Sequence, residues 1–562
     1  MHTTSRMAVN LHGNKCSGSH DLSLEPVQQA SHLSAFSRFN PLNQPTMITS
    51  IRKVGILVVS ALLMALALPG CGGGGGDSPS SGSGADTGAP DITAALNYIK
   101  TSSGNSGTRF GHSVALSADG TTLAIGARTE DSKSTGINGD ANDRSLDAAG
   151  AVYVFLRSGN TWVQQAYVKA SNTDLYDEFG FSVALSADGN TLAVGAIGEK
   201  SSANTINGDQ GDNSFGAAGA VYVFHRSAGT WTQQAYVKAS NADRDDQFGR
   251  SVALSGDGNT LAVGAINEDG AANVEDDTGA VYVFARDSLA SAWSQKAYVK
   301  ASNAGLSDQF GYSVALSNDG KTMAVGAIHE GGNGTDPGDD SLFQAGAAYV
   351  FTRDVTDTWT EKAYLKASNV GAQDQFGYSL ALSGDGKTLA VGAAYEDSKP
   401  THPGDDSLAD AGAVYVFGRD GADHWTQNTL LKASNAGMDD QFGYSLALSN
   451  DGDLLVVGAR WEGSNATGIG GNPLDDSFPE AGAVYGFIRS SGASWGPSAY
   501  IKASNTDQGD GFGSSVALSA DGRTLAAGAP LERSRATGVN GDQTDNTRSN
   551  AGAVYVLNLT TH

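Results

Sequence analysis

Beyond about residue 93 the chain is a succession of short apolar runs set between polar stretches rich in glycine. No segment places its apolar residues at the 3.6-residue period of an amphipathic helix, so the predicted elements are strands. They come in a fixed order. In one stretch an inner strand is predicted over 179–186, a second over 192–196, a third over 220–224 and an outer one over 231–238. The inner run is rich in Gly, Ala and Ser, which suits a crowded position. The others are apolar on both faces, as expected of a sheet sandwiched between two neighbours.

This set of four recurs. Phe-Gly opens it at Phe110, Phe179, Phe248, Phe310, Phe376, Phe442 and Phe512, with spacings of 69, 69, 62, 66, 66 and 70 residues. Each copy runs F-G-x-S-[VL]-A-L-S-x-D-G, then a Val-Gly-Ala-like run, a long polar loop and a G-A-V-Y-V-F-like run. Repeats of this length and content predict the blades of a β-propeller. The outer run begins at Trp162, Trp231, Trp293, Trp359, Trp425 and Trp495, but none follows the seventh Val-Tyr run; a copy lies instead at residues 97–102, ahead of the first Phe-Gly. The expected fold is therefore all-β: seven antiparallel four-stranded blades over residues 93–562, closed by an N-terminal strand that completes the last blade and removes an exposed edge.

The formal net charge is −25; residues 1–70 hold five basic and two acidic side chains, which leaves −28 on the rest. Such a surface repels nucleic acid and anionic headgroups and suits cations or basic partners, or simply keeps an exported protein soluble. The only cysteines are Cys16 and Cys71, so thiol chemistry, disulfides and zinc ribbons are excluded from the propeller.

Arg52 and Lys53 precede an uncharged stretch over 54–68 that ends in Leu68-Pro69-Gly70-Cys71. This is the layout of a bacterial export signal, too short for a span. The Leu-x-Gly-Cys ending resembles a lipobox, whose cysteine is diacylated. The alternatives are an ordinary signal peptide and an uncleaved anchor. On the lipobox reading residues 47–70 are the signal and 1–46 precede the true start at Met47 or are disordered. Cys71 then carries the lipid, and the Gly/Ser-rich stretch to residue 92 is a flexible linker. The expected location is the outer membrane of a bacterial envelope, on its periplasmic or its outer side.

Every blade has an Asp-Gly pair between its first two strands, such as Asp119-Gly120 and Asp188-Gly189, for which a type I′ turn is predicted. Phe-Gly, Val-Gly-Ala (Gly-Ala-Pro at 528–530) and Gly-Ala-Val-Tyr-Val-Phe together resemble the FG-GAP repeat family, the propeller of integrin α subunits and many bacterial surface proteins. The resemblance implies a seven-bladed propeller. Calcium-binding members carry a D-x-D-x-D-G-like loop between strands one and two; here that loop is the short Asp-Gly hairpin, so the resemblance transfers no calcium site to it.

Candidate chemistry gathers on the opposite, acidic face, where the loop from strand two to three meets the connection to the next blade. A glutamate follows Gly-Ala by three residues in all blades: Glu130, Glu199, Glu268, Glu330, Glu396, Glu462 and Glu532. Further along, a D-x-x-D-[DN]-[ST] core supplies Asp140, Asp143, Asp209, Asp212, Asp336, Asp339, Asp405, Asp475, Asp542 and Asp545. These oxygens are candidate Ca²⁺ ligands in a flexible loop, or caps of their own turns. Asn172 and its equivalents read as turn residues bonded to local backbone. The residue after Phe-Gly varies where its neighbours do not: His112, Phe181, Arg250, Tyr312, Tyr378, Tyr444 and Ser514. These side chains are candidates to ring the channel mouth and bind a partner, or pack beneath the loops.

No Ser/His/Asp constellation, HExxH, phosphate loop or dinucleotide fingerprint occurs in a supporting context. The reading is a monomeric, lipid-tethered propeller that binds a protein or glycan through its acidic loop face and performs no chemistry. One alternative is a lyase or hydrolase at the central channel; another is a structural envelope protein holding calcium. Convergence of His, Tyr and Arg in a deep mouth would favour the enzyme, and a flat acidic face would favour binding.

Overall fold

The computed structural model describes residues 96–270, 277–334, 338–491 and 494–559, all within the second of two units that divide after Ser83. Residues 1–95, with Cys71 and the segments expected to be leader and linker, and Asp336 lie outside the described residues. Seven four-stranded antiparallel sheets form the ring, and the described residues contain no helix. In the first blade β2 (Phe110–Leu116), β3 (Thr122–Ala127), β4 (Ala151–Ser158) and β5 (Thr161–Val168) follow one another outward. β1 (Leu96–Ile99) is the outermost strand of the last blade, pairing Leu96 with Leu557 and Ile99 with Val554. Ring closure by the N-terminal strand is as the repeat phase predicts.

The blades pack face to face. Phe179, Tyr222 and Trp231 of blade two are buried against Val152, Val154, Ala166 and Val168 of blade one, and equivalent clusters fill the other interfaces. The glycine of each Val-Gly-Ala run sets the spacing near the axis. A Cβ on Gly195 would lie 2.2 Å from the carbonyl oxygen of Gly249 in the next blade, and all seven equivalents are as tight. Nothing larger than hydrogen fits there.

Two closed hydrogen-bond rings encircle the axis. In one, Ser113, Ser182, Ser251, Ser313, Ser379, Ser445 and Ser515 each donate the hydroxyl to the carbonyl of the next blade's Phe-Gly glycine, at 2.6–2.9 Å. In the other, at the hairpin end, backbone N–H groups donate around the ring from Ala118 to Ala187, Gly256, Asn318, Gly384, Asn450, Ala520 and back to Ala118. The hairpins differ from the predicted type I′ turn: Gly120 has φ 64°, while Asp119 does not enter the positive-φ region. Gly120 N–H bonds the Ser117 carbonyl, and Asp119 accepts from the Ser117 hydroxyl and the Thr121 amide. The aspartate side chain holds the turn, so only the glycine takes the left-handed conformation.

The recurrent glutamate is not a loop-surface residue. Six of the seven sit buried in ion pairs of 2.5–3.0 Å with the lysine of the outer strand: Glu130–Lys169, Glu199–Lys238, Glu330–Lys366, Glu396–Lys432, Glu462–Lys502 and Glu532–Lys100. In blade three Lys300 reaches the Glu268 carbonyl oxygen. The neighbouring blade completes the site. Asn172 donates to Glu199 and accepts from the Tyr222 hydroxyl, and the same staple recurs through Asn241, Asn303, Asn369, Asn435 and Asn505. These asparagines therefore tie one blade to the next, and their reading as local turn residues is corrected.

The closing seam lacks this staple. Ser103 stands where asparagine stands elsewhere, and its hydroxyl, the Tyr153 hydroxyl and Glu130 Oε1 are buried without hydrogen-bond partners. Ser103→Asn should stabilise the chain by about 1–2 kcal/mol, because it supplies a donor and an acceptor to groups already desolvated. Asn435→Ala should destabilise it by about 1–3 kcal/mol for the converse reason. Denaturant midpoints of the two variants, moving in opposite directions, test the pair. Gly195→Ala should cost about 3 kcal/mol or prevent folding, since the obstructing atom is backbone; an unchanged melting curve would contradict the close approach.

Candidate functional site

The Phe-Gly step builds the channel mouth. Phe110 is fully buried against Tyr153 and Phe155, Gly111 adopts φ 89°, and the ladder slips register between Phe110 and Ser113. A bulge of this kind re-aims the side chain it carries. It turns the variable residue into the mouth, in every blade. His112, Phe181, Arg250, Tyr312, Tyr378, Tyr444 and Ser514 line one cup of about 540 Å³ on the acidic-loop side of the ring.

Six of these side chains touch in sequence around the axis, while the Ser514 hydroxyl donates to the Gly511 carbonyl. The His112 and Phe181 rings are 5.1 Å apart, the Arg250 guanidinium lies 4.8 Å from the Phe181 ring and 4.1 Å from that of Tyr312, and Tyr312, Tyr378 and Tyr444 follow at 5.1 and 5.0 Å. Arg460 closes the run at 4.2 Å from the Tyr444 ring and donates to its hydroxyl. Arg109, Arg128 and Trp461 complete the rim, and Val114, Val183, Val252, Val314, Leu380, Leu446 and Val516 line the wall. Each ring serine spends its hydroxyl on a neighbouring carbonyl, and Glu480 adds one carboxylate to the lining.

The seven variable residues meet in this cup, and the three arginines that join Arg250 there, Arg109, Arg128 and Arg460, were missed by sequence reasoning. Arg109 holds the place of Glu178, and Arg128 and Arg460 follow Gly-Ala where Ile197, Ile266 and Ile328 stand in other blades. The breaks in those two columns were the available signal. Arg128 pairs with Glu178 at 2.9 Å; Arg109, Arg250 and Arg460 have no carboxylate within ion-pair distance among the described residues. Burial and the four guanidinium groups push the His112 pKa well below its ordinary value, so the imidazole is neutral. Burial and its two tyrosine neighbours push the Tyr378 hydroxyl up, which keeps its proton.

The loop aspartates lie apart from this cup and spend their oxygens on their own turns. Asp143 accepts from the Lys133 and Ser145 amides, Asp212 from those of Ser202 and Ser214, and Asp339, Asp475 and Asp545 from those of Ser341, Ser477 and Thr547. Asp140, Asp209 and Asp542 each accept an amide two residues on, and Asp405 pairs with Lys399. Those bonds hold Asp212 down at about 2, and Asp143, Asp405, Asp475 and Asp542 below the ordinary value. Among the described residues no group of three or more His, Cys, Asp or Glu side chains converges as a metal site.

The aspartate two residues before Phe in six of the seven blades behaves in the opposite way. Burial raises Asp177 and Asp308 to about 6, Asp374 and Asp440 to about 7, and Asp246 and Asp510 to about 8.

A closed seven-bladed propeller with a cup at one end of its channel defines the class. The FG-GAP repeat family matches residues 162–224, 231–284, 293–351, 359–417, 425–487 and 495–557, each from an outer strand through the third strand of the next blade. The chain belongs to that family. Among solved structures it is similar to the hydrazine synthase of Kuenenia stuttgartiensis, with 14% identity, a TM-score of 0.43, and coverage of 75% of this chain and 93% of that one. No curated protein matches.

The six buried aspartates fix a pH dependence. A carboxyl whose folded pKa exceeds its unfolded value near 3.8 binds more protons folded than unfolded, so its contribution to stability is lost as pH rises. His112 and His329, with depressed pKa values, work in the other direction but are two groups against six. Stability should fall between about pH 4 and pH 8, and Asp246→Asn should make that slope shallower by up to about 1.4 kcal/mol per pH unit. Urea midpoints across that range measure it; stability rising with pH would contradict the assignment.

Proposed function

We propose that the protein is a lipid-tethered binding propeller of the bacterial envelope that engages a protein or glycan partner through its loop face, with the central cup as the anchor point. One observation carries this reading: seven blades present the residue after Phe-Gly, their most varied inner-strand position, to a single cup, and six of those side chains stack into a preformed collar. Rigid aromatic and arginine side chains lose little freedom on binding, which is why such residues dominate interface hot spots. The acidic turns lie outside the cup and are largely exposed to solvent.

A channel enzyme is the second reading, because His112, three tyrosines and four arginines do meet in a cup with depth. Against it, a general base needs an orienting partner, and the His112 ring has only the edge of Phe181, with no hydrogen-bonded side chain among the described residues.

Two measurements test the proposal. Cys71→Ser should move the protein from the membrane to the soluble fraction, and unchanged fractionation would sink the tether. The same soluble chain, screened against glycans and envelope proteins, should bind a partner saturably and return it chemically unaltered by mass spectrometry. Turnover of the ligand would establish the enzyme instead.

A further inference from the structure

The cup contradicts the charge of the chain that builds it. In a protein of formal charge −25, four arginines converge on one half-buried mouth, and three of them have no carboxylate partner among the described residues. Like charges gathered where water is partly excluded repel one another; burial first, and the neighbouring guanidinium groups after it, lower the pKa values of Arg109 and His112. Arg250 and Arg460 lie over aromatic rings, which satisfies their faces; Arg460 spends one N–H on the Tyr444 hydroxyl, and the guanidinium edge of Arg250 with the remaining terminal N–H groups of Arg460 is left for an oxyanion. Arg460 Nε is buried without any hydrogen-bond partner.

The remaining surfaces narrow the ligand. Around the cup stand three tyrosine rings, Phe181 and Trp461, with Glu480 the one acidic side chain among the lining residues, and valine, leucine and serine side chains form the wall below. Flat aromatic faces and tyrosine hydroxyls suit the C–H face and hydroxyl edge of a sugar ring. A volume of about 540 Å³ falls within the range of roughly 300–1,000 Å³ typical of small-ligand sites. The surrounding acidic loops disfavour a long polyanion, so the charge belongs to one residue with a neutral remainder.

Resting on the binding reading above, we propose that the cup recognises the terminal carboxylated sugar of an otherwise neutral glycan. The arginine cluster takes the carboxylate, and the tyrosine arc takes the ring.

Titration calorimetry on the intact Cys71→Ser chain, with sialyllactose and a glucuronyl-terminated disaccharide as probes, tests this. At least one should bind, whereas lactose and sodium acetate should not. Arg250→Gln and Arg460→Gln should each weaken binding about tenfold or more, and Arg523→Gln, on an exposed hairpin, should leave it unchanged. Melting curves confirm that each variant is folded, and Arg250→Lys should retain part of the affinity. Lactose binding as tightly as its acidic counterpart, undiminished affinity in both glutamine variants, preference for an acidic peptide, or no binding of either acidic sugar would overturn the inference. If a protein or neutral glycan binds regardless of the arginines, this inference fails while the binding function stands. If the acidic sugar binds and is then cleaved, the ligand class stands and the non-catalytic reading fails.

Discussion

Moving a glutamate and a lysine together out of water is unfavourable unless their remaining lone pairs and protons are also satisfied. That requirement links the structure from blade to blade. In blade two Glu199 takes its lysine from the outer strand of its own sheet, and the bond that completes it comes from Asn172, which leaves the previous blade. Asn172 is in turn fixed by Tyr222 on the third strand. One desolvated carboxylate thus dictates how four segments of chain meet, and its repetition gives neighbouring blades a common geometry.

The same regularity produces the cup. Phe179 must be buried and Gly180 must lie against the preceding blade, so the backbone between them and Ser182 has little choice of path. The one position that path leaves unconstrained is the residue aimed at the axis. A scaffold that fixes everything around a position frees that position to vary, and seven such positions meet in one place.

Blade number, strand order and ring closure were legible because each depends on residues repeated at fixed spacing. The identity of the collar was legible too, as variation at a single column. What could not be read was the role of polar residues whose partners lie far along the chain. Glu532 and Lys100 are 432 positions apart, and no local pattern distinguishes a glutamate held in such a pair from one exposed in an acidic loop. Asn172 was misread for the same reason, and Arg128 and Arg460 went unnoticed because each interrupts an apolar column only once. The turn at Asp119 was a different case: the Asp-Gly pair fixed where the hairpin lies, and side-chain bonds from Ser117 and Thr121 decided its backbone conformation.

Closure by β1 also has a mechanical side. Leu96 and Leu557 are partners at the same end of the ladder that joins the two ends of the ring. Tension applied between those ends would load the ladder in peeling rather than in shear, so its hydrogen bonds would bear force one after another. Resistance to such a pull then falls on the buried anchors behind the strand, Tyr98 and the Lys100–Glu532 pair. The propeller thus resists thermal motion around the whole ring, and a pull on its ends at one four-residue strand and the anchors behind it.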